Sequence, residues 1–109
     1  MRRGRPALLA PLLIAAALAA RPAAADPKVH VIHIADMAFG AAPAGIKVGD
    51  AVEWVNDDMF EHTATARDHS FDLDLEPGAT ARTIMRSAGE IAYDCRFHPG
   101  MRGRLVVQK

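Results

Sequence analysis

Cys95–Arg96–Phe97–His98–Pro99–Gly100–Met101 decides how the rest of the chain is read. It holds the only cysteine of the 109 residues. A thiol, an imidazole and a thioether follow one another at a spacing of three. On the N-terminal side, Glu90–Cys95 alternates and puts Ile91, Tyr93 and Cys95 on one face. On the C-terminal side, Gly103–Gln108 carries Leu105, Val106 and Val107. Both flanks read as strands. The stretch between them is then a short loop that can turn its three donors toward one point. Soft and borderline donors of this kind suit a transition metal. A fourth donor has to come from elsewhere in the chain.

Working outward, other short extended runs appear. Val29–Ala35 is rich in β-branched residues, and Ile46–Val48 is short and extended. Ala51–Asn56 sets Val52, Trp54 and Asn56 against Ala51, Glu53 and Val55. His62–Ala66 and Thr80–Met85 complete the set. Gly49–Asp50, Pro77–Gly78 and Ser87–Gly89 punctuate them as turns. Arg67–Gly78 is polar and reads as irregular. No window sustains a helical period. Short strands separated by glycine and proline predict an all-β sandwich.

The N-terminus follows a different pattern. Arg2, Arg3 and Arg5 precede the apolar run Ala7–Ala20, then Ala23–Ala24–Ala25 and the polar Asp26. This is the three-region pattern of a secretory signal peptide, residues 1–25, with cleavage expected after Ala25. A spanning helix wants about 20 apolar residues, and Pro11 interrupts this run. The remaining Asp26–Lys109 is long enough for one small domain. Cleavage removes Arg2, Arg3, Arg5 and Arg21 and no acidic residue, which turns a neutral chain net negative. A mildly acidic exported domain is not a nucleic-acid binder. No stable membrane insertion is expected after cleavage, and the domain is read as a monomer in the periplasm.

A lone cysteine in an oxidising compartment is buried, paired with another chain, or holding a metal. Taken alone, Cys95 reads as a small apolar core residue. Its spacing to His98 and Met101 favours the ligand reading. His62 is the best fourth donor, because it opens a strand after the loop Asp57–Glu61. His30 and His33 lie in one strand, where at most one can point inward, and His69 sits in a polar stretch. Structural zinc prefers four cysteine or histidine donors, and iron–sulfur clusters need more thiolates. Two histidines, a thiolate and a weak axial methionine match a blue-copper site. The metal set read from these donors is His62, Cys95, His98 and Met101, around a copper ion. Four protein donors leave no open position for catalysis, so the chain is not read as an enzyme. A periplasmic copper carrier or store is the alternative, using the same four residues.

Six motifs carry a resemblance. They are Val48–Gly49–Asp50, Val52–Glu53–Trp54–Val55–Asn56, His62–Thr63–Ala64–Thr65, Pro77–Gly78, Tyr93–Asp94–Cys95 and His98–Pro99–Gly100–Met101. In this order, from Val29 to Val107, the chain resembles the small cupredoxins of the amicyanin and plastocyanin kind. The resemblance implies a Greek-key β-sandwich, one type 1 copper, and single-electron shuttling between a donor and an acceptor redox protein. It assigns the same four ligands. Thr63 departs from the pattern, since many members have asparagine directly after the first histidine. Met59, Phe60, Phe97 and Pro99 are expected to form an apolar docking patch around His98. Asp57, Asp58 and Glu61 on one side, and Arg96, Arg102 and Arg104 on the other, are expected to orient a partner.

Overall fold

The computed structural model describes residues 3–15 and 26–109. The expected cleavage point after Ala25 lies outside the described residues. Among the described residues, no helix is long and apolar enough to cross a membrane. The described residues form nine strands: β1 (Val29–Ala35), β2 (Ala38–Phe39), β3 (Ile46–Lys47), β4 (Ala51–Asn56), β5 (His62–Ala66), β6 (Asp72–Leu75), β7 (Thr80–Ile84), β8 (Gly89–Asp94) and β9 (Arg102–Gln108). They make two sheets, ordered β2-β1-β4-β7 and β3-β9-β8-β5-β6. The architecture is the expected all-β sandwich.

Alternation dictates which side chains face inward. In β1, His30, Ile32 and Ile34 are buried while Val29, Val31, His33 and Ala35 face out. β4 lies parallel to β1 and antiparallel to β7. In the other sheet, β8 pairs antiparallel with both β9 and β5. Trp54 of the first sheet meets Tyr93 of the second edge-on, with ring centroids 5.5 Å apart, and Phe71 at 5.1 Å. This aromatic group, with Ile32, Ile34, Leu75 and Leu105, is the core.

One expectation is corrected. Arg67–Gly78 is not irregular throughout: Asp72–Leu75 is a strand that pairs with β5 from His62↔Leu75 to Thr65↔Asp72. Aspartate disfavours strands, which hid the alternation. Asp72 and Asp74 point outward and both bond Arg96, whereas Leu75 is fully buried. The cross-sheet arginine offsets the charge repulsion, and the inward leucines supply the hydrophobic drive.

Between β1 and β2 the chain reverses through Asp36 and Met37, both at positive φ, 52° and 60°. Two such residues are what a tight hairpin of this hand requires. Aspartate tolerates that conformation better than methionine. Met37 is held there because its N–H donates to Asp58 Oδ2 at 2.9 Å.

Candidate metal centre

Two successive turns explain the spacing of three. The His98 N–H bonds the Cys95 carbonyl at 3.3 Å, and the Met101 N–H bonds the His98 carbonyl at 2.8 Å. The Cys95 N–H returns to the Met101 carbonyl at 3.2 Å and closes the loop. Cys95 lies just after β8 and Met101 just before β9, so the paired strands fix both ends of the loop. Pro99 and Gly100 occupy the second turn.

His62 opens β5, beside β8 in the same sheet. Its Nδ1 stands 3.8 Å from Cys95 Sγ, and His98 Nδ1 stands 3.7 Å from the same sulfur. Donor atoms of His62, Cys95 and His98 all lie within 4.8 Å of one another. Ligands about 2.0–2.3 Å from a shared ion and set at a trigonal angle stand roughly 3.6 Å apart. The three donors are therefore spaced for one ion between them. Met101 is buried in the same loop and belongs to the cluster that contains Cys95. His62 and Cys95 are buried, and only His98 is partly exposed.

A carboxylate sets the His62 tautomer. His62 Nε2 lies 2.9 Å from Asp58 Oδ2. An ionised carboxylate only accepts, so Nε2 carries the proton and the Nδ1 lone pair faces the sulfur. The Met37 N–H and then the His62 ring hold the Asp58 carboxyl below the usual carboxylate range. Asn56 builds the loop beneath. Its side-chain amide donates to the carbonyls of Phe60, Leu75 and Glu76, and its oxygen accepts from the Asp58 N–H. Sequence reasoning placed Asn56 in a strand and a family motif, and Asp58 in a charged loop facing a partner. Nothing in their spacing reported these bonds.

Thr63 ties β5 to the ligand loop. Its N–H donates to Cys95 Sγ at 3.3 Å, and its hydroxyl accepts from the Arg96 N–H at 2.9 Å. The other histidines lie outside the donor group. His30 is buried and bonds Asp50, His33 is exposed and bonds Asp57, and His69 is exposed.

Met59, Phe60, Phe97 and Pro99, expected to surround His98, are all exposed. The opposed charge clusters are less free than expected. Asp57 and Asp58 are engaged with histidines, and Arg96 is engaged with Asp72 and Asp74. Arg104 faces Glu90 at 3.4 Å.

Two packed sheets that bring this imidazole–thiolate–imidazole group together have the fold and the donor set of a cupredoxin. The donor chemistry fits one type 1 copper: a thiolate and a thioether favour the cuprous ion, and imidazole accepts either state. The chain belongs to the cupredoxin-like domain family, whose profile matches residues 8–107. It is 31% identical over 88 residues to amicyanin of Paracoccus denitrificans, across 72% of this chain and 64% of that protein. It is 36% identical over 87 residues to the methylamine utilization protein MauL of Methylorubrum extorquens, across 76% of this chain and 75% of that one. The chain thus spans 64% and 75% of these two relatives. Among solved structures, a methionine-to-glutamine variant of amicyanin in the Cu(I) form superposes with a TM-score of 0.63 at 27% identity, covering 73% of this chain and 82% of that chain. A reduced tryptophan-to-tyrosine variant of amicyanin gives 0.63 at 26%, covering 80% and 87%.

Proposed function

We propose that His62, Cys95, His98 and Met101 hold one type 1 copper ion, and that the protein shuttles single electrons between redox proteins in the periplasm. Residues 1–25 serve as the cleaved signal peptide and Asp26–Lys109 as the working domain. The convergence of His62 Nδ1, Cys95 Sγ and His98 Nδ1 within 4.8 Å carries this reading. Copper in such a site supplies reversible one-electron chemistry.

The remaining roles belong to the chain. Asp58 and the paired strands keep the His62 ring fixed, so the donor group need not rearrange between redox states. Thr63 supports the thiolate through its N–H. Of the three donors placed together, His98 alone is partly exposed, and Phe60 and Phe97 are each about half exposed. A partner seated at His98 is brought close to the ion through one imidazole. Burial of the other donors also argues for the shuttle over the carrier, since a competing chelator has access only past His98.

The test is retention. Protein expressed from the full-length gene in a Gram-negative host is recovered from the periplasm, its N-terminus is determined by mass, and copper is added. Repeated chemical reduction and oxidation should leave the ion in place, and the N-terminus should be Asp26. Loss of copper to a chelator on each reduction would support the carrier instead.

A further inference from the structure

The hydroxyl of Thr63 belongs to a closed ring of hydrogen bonds whose directions are fixed. Thr65 Oγ1 lies 2.8 Å from Asp72 Oδ1, and the carboxylate can only accept, so the Thr65 proton goes to Asp72. Thr65 has then no proton left for Thr63, whose Oγ1 lies 2.9 Å away. Thr63 must donate to Thr65. The lone pairs of Thr63 are thereby left for the Arg96 N–H, at 2.9 Å. The Arg96 side chain closes the ring, its Nε–H donating to the same Asp72 Oδ1 at 3.1 Å. A second guanidinium nitrogen reaches Asp74 at 2.6 Å.

The consequence falls on Cys95. Thr63 grips it at two points, the sulfur through its own N–H and the following peptide through its hydroxyl. Thr63 is fully buried, so no water competes for its hydroxyl, while Thr65 is partly exposed and Asp72 exposed. We infer that Thr65, Asp72 and the Arg96 side chain are positioning residues that orient the Thr63 hydroxyl and so set the strength of the Thr63 N–H bond to the Cys95 sulfur. The role rests on the copper reading above. Its sign follows from electrostatics: an N–H bond on the sulfur withdraws electron density from the thiolate and favours the cuprous ion. A loosened ring weakens that bond and favours the cupric ion.

The experiment compares Thr65→Val, which removes the relay hydroxyl at nearly constant shape, with Thr65→Ser, which restores it. Two readouts are taken on protein expressed from the full-length gene. In metal-free protein, hydrogen exchange of the Arg96 amide should quicken about five- to tenfold in Thr65→Val, the worth of one ordinary hydrogen bond. In copper-loaded protein, the balance of the two redox states should move roughly threefold or more toward cupric, where tenfold corresponds to about 59 mV. Thr65→Ser should match the unaltered protein on both. Thr65→Val that lowers stability but leaves both readouts unmoved overturns the inference, because a merely structural contact would behave so. An exchange change without a shift in redox balance also overturns it. If the unaltered protein binds copper without thiolate absorption, the functional reading fails, and the ring fails as a device for tuning copper. The ring fails alone when that absorption is present and Thr65→Val changes nothing.

Discussion

Gly103→Ala should destabilise the domain severely, and the reason is space. Gly103 on β9 faces Tyr93 on β8 across the sheet. A Cβ built at Gly103 would lie 2.7 Å from Tyr93 Cε1 and still nearer to Cζ and the hydroxyl oxygen. Carbon atoms sit comfortably at about 3.5–4.0 Å, so two ring carbons and the hydroxyl oxygen overlap the new methyl. The ring cannot retreat. It is 1% exposed, with Phe39 edge-on at 4.7 Å and Trp54 edge-on at 5.5 Å. Overpacking costs typically about 1–3 kcal/mol, and a ring pinned on two sides belongs at the upper end, about 3 kcal/mol. For a domain of this size that lowers the melting temperature by about 12–24 °C. Urea unfolding of metal-free protein, followed by the fluorescence of Trp54, the sole tryptophan, reads the cost directly. Repeating the substitution in a Tyr93→Leu background removes the ring that clashes. There the methyl should cost at least about 1 kcal/mol less, as contacting residues are coupled. A cost below about 1 kcal/mol in the original background, or equal costs in the two backgrounds, would refute the packing argument.

Asp58→Leu should weaken copper binding about 10–100-fold, because the His62 ring loses the acceptor that fixes its tautomer; competition titration against a chelator of known affinity would expose an unchanged constant. Met101→Leu should keep the thiolate absorption and raise the potential, since removing a donor disfavours the more highly charged ion; complete loss of colour, or an unmoved potential, would exclude Met101 as a weak ligand. A fourth expectation concerns pH. The His30 ring, bonded at 2.9 Å, and then the Lys47 N–H hold the Asp50 carboxyl below its ordinary range. A depressed carboxylate contributes stability that is complete above about pH 4 and is lost as pH falls through its folded value. His30→Phe should therefore be less stable than the unaltered protein at neutral pH, and the gap should narrow in acid. Denaturation midpoints whose separation stays constant down to about pH 3 would contradict the linkage.

Much of this was legible in the residues because strands and ligand loops write themselves at short range. β1 alternates cleanly and β4 does so from Val52 onward, and Gly49, Pro77 and Gly78 mark the turns. The spacing of Cys95, His98 and Met101 is the spacing of two consecutive turns, a local property. His62 was reachable by elimination, since strand alternation limits His30 and His33. What stayed hidden depends on neighbours in space. β6 was missed because its aspartates are tolerated only once Arg96 lies across the sheet from them. The Asp58 bridge needs a hairpin 21 residues earlier to present the Met37 N–H. The Thr63 ring joins three strand-borne side chains to a loop amide, and no sequence interval announces it. The pairing within the charge clusters was hidden for the same reason: formal charges are visible in a sequence, and their partners are not.

Copper-loaded protein should show an intense visible thiolate-to-copper absorption that Cys95→Ser abolishes while the fold, judged by far-ultraviolet circular dichroism, is retained. The same absorption surviving in Cys95→Ser, or a folded and copper-loaded unaltered protein that remains pale, would contradict the assignment of Cys95, His62 and His98 to one copper centre.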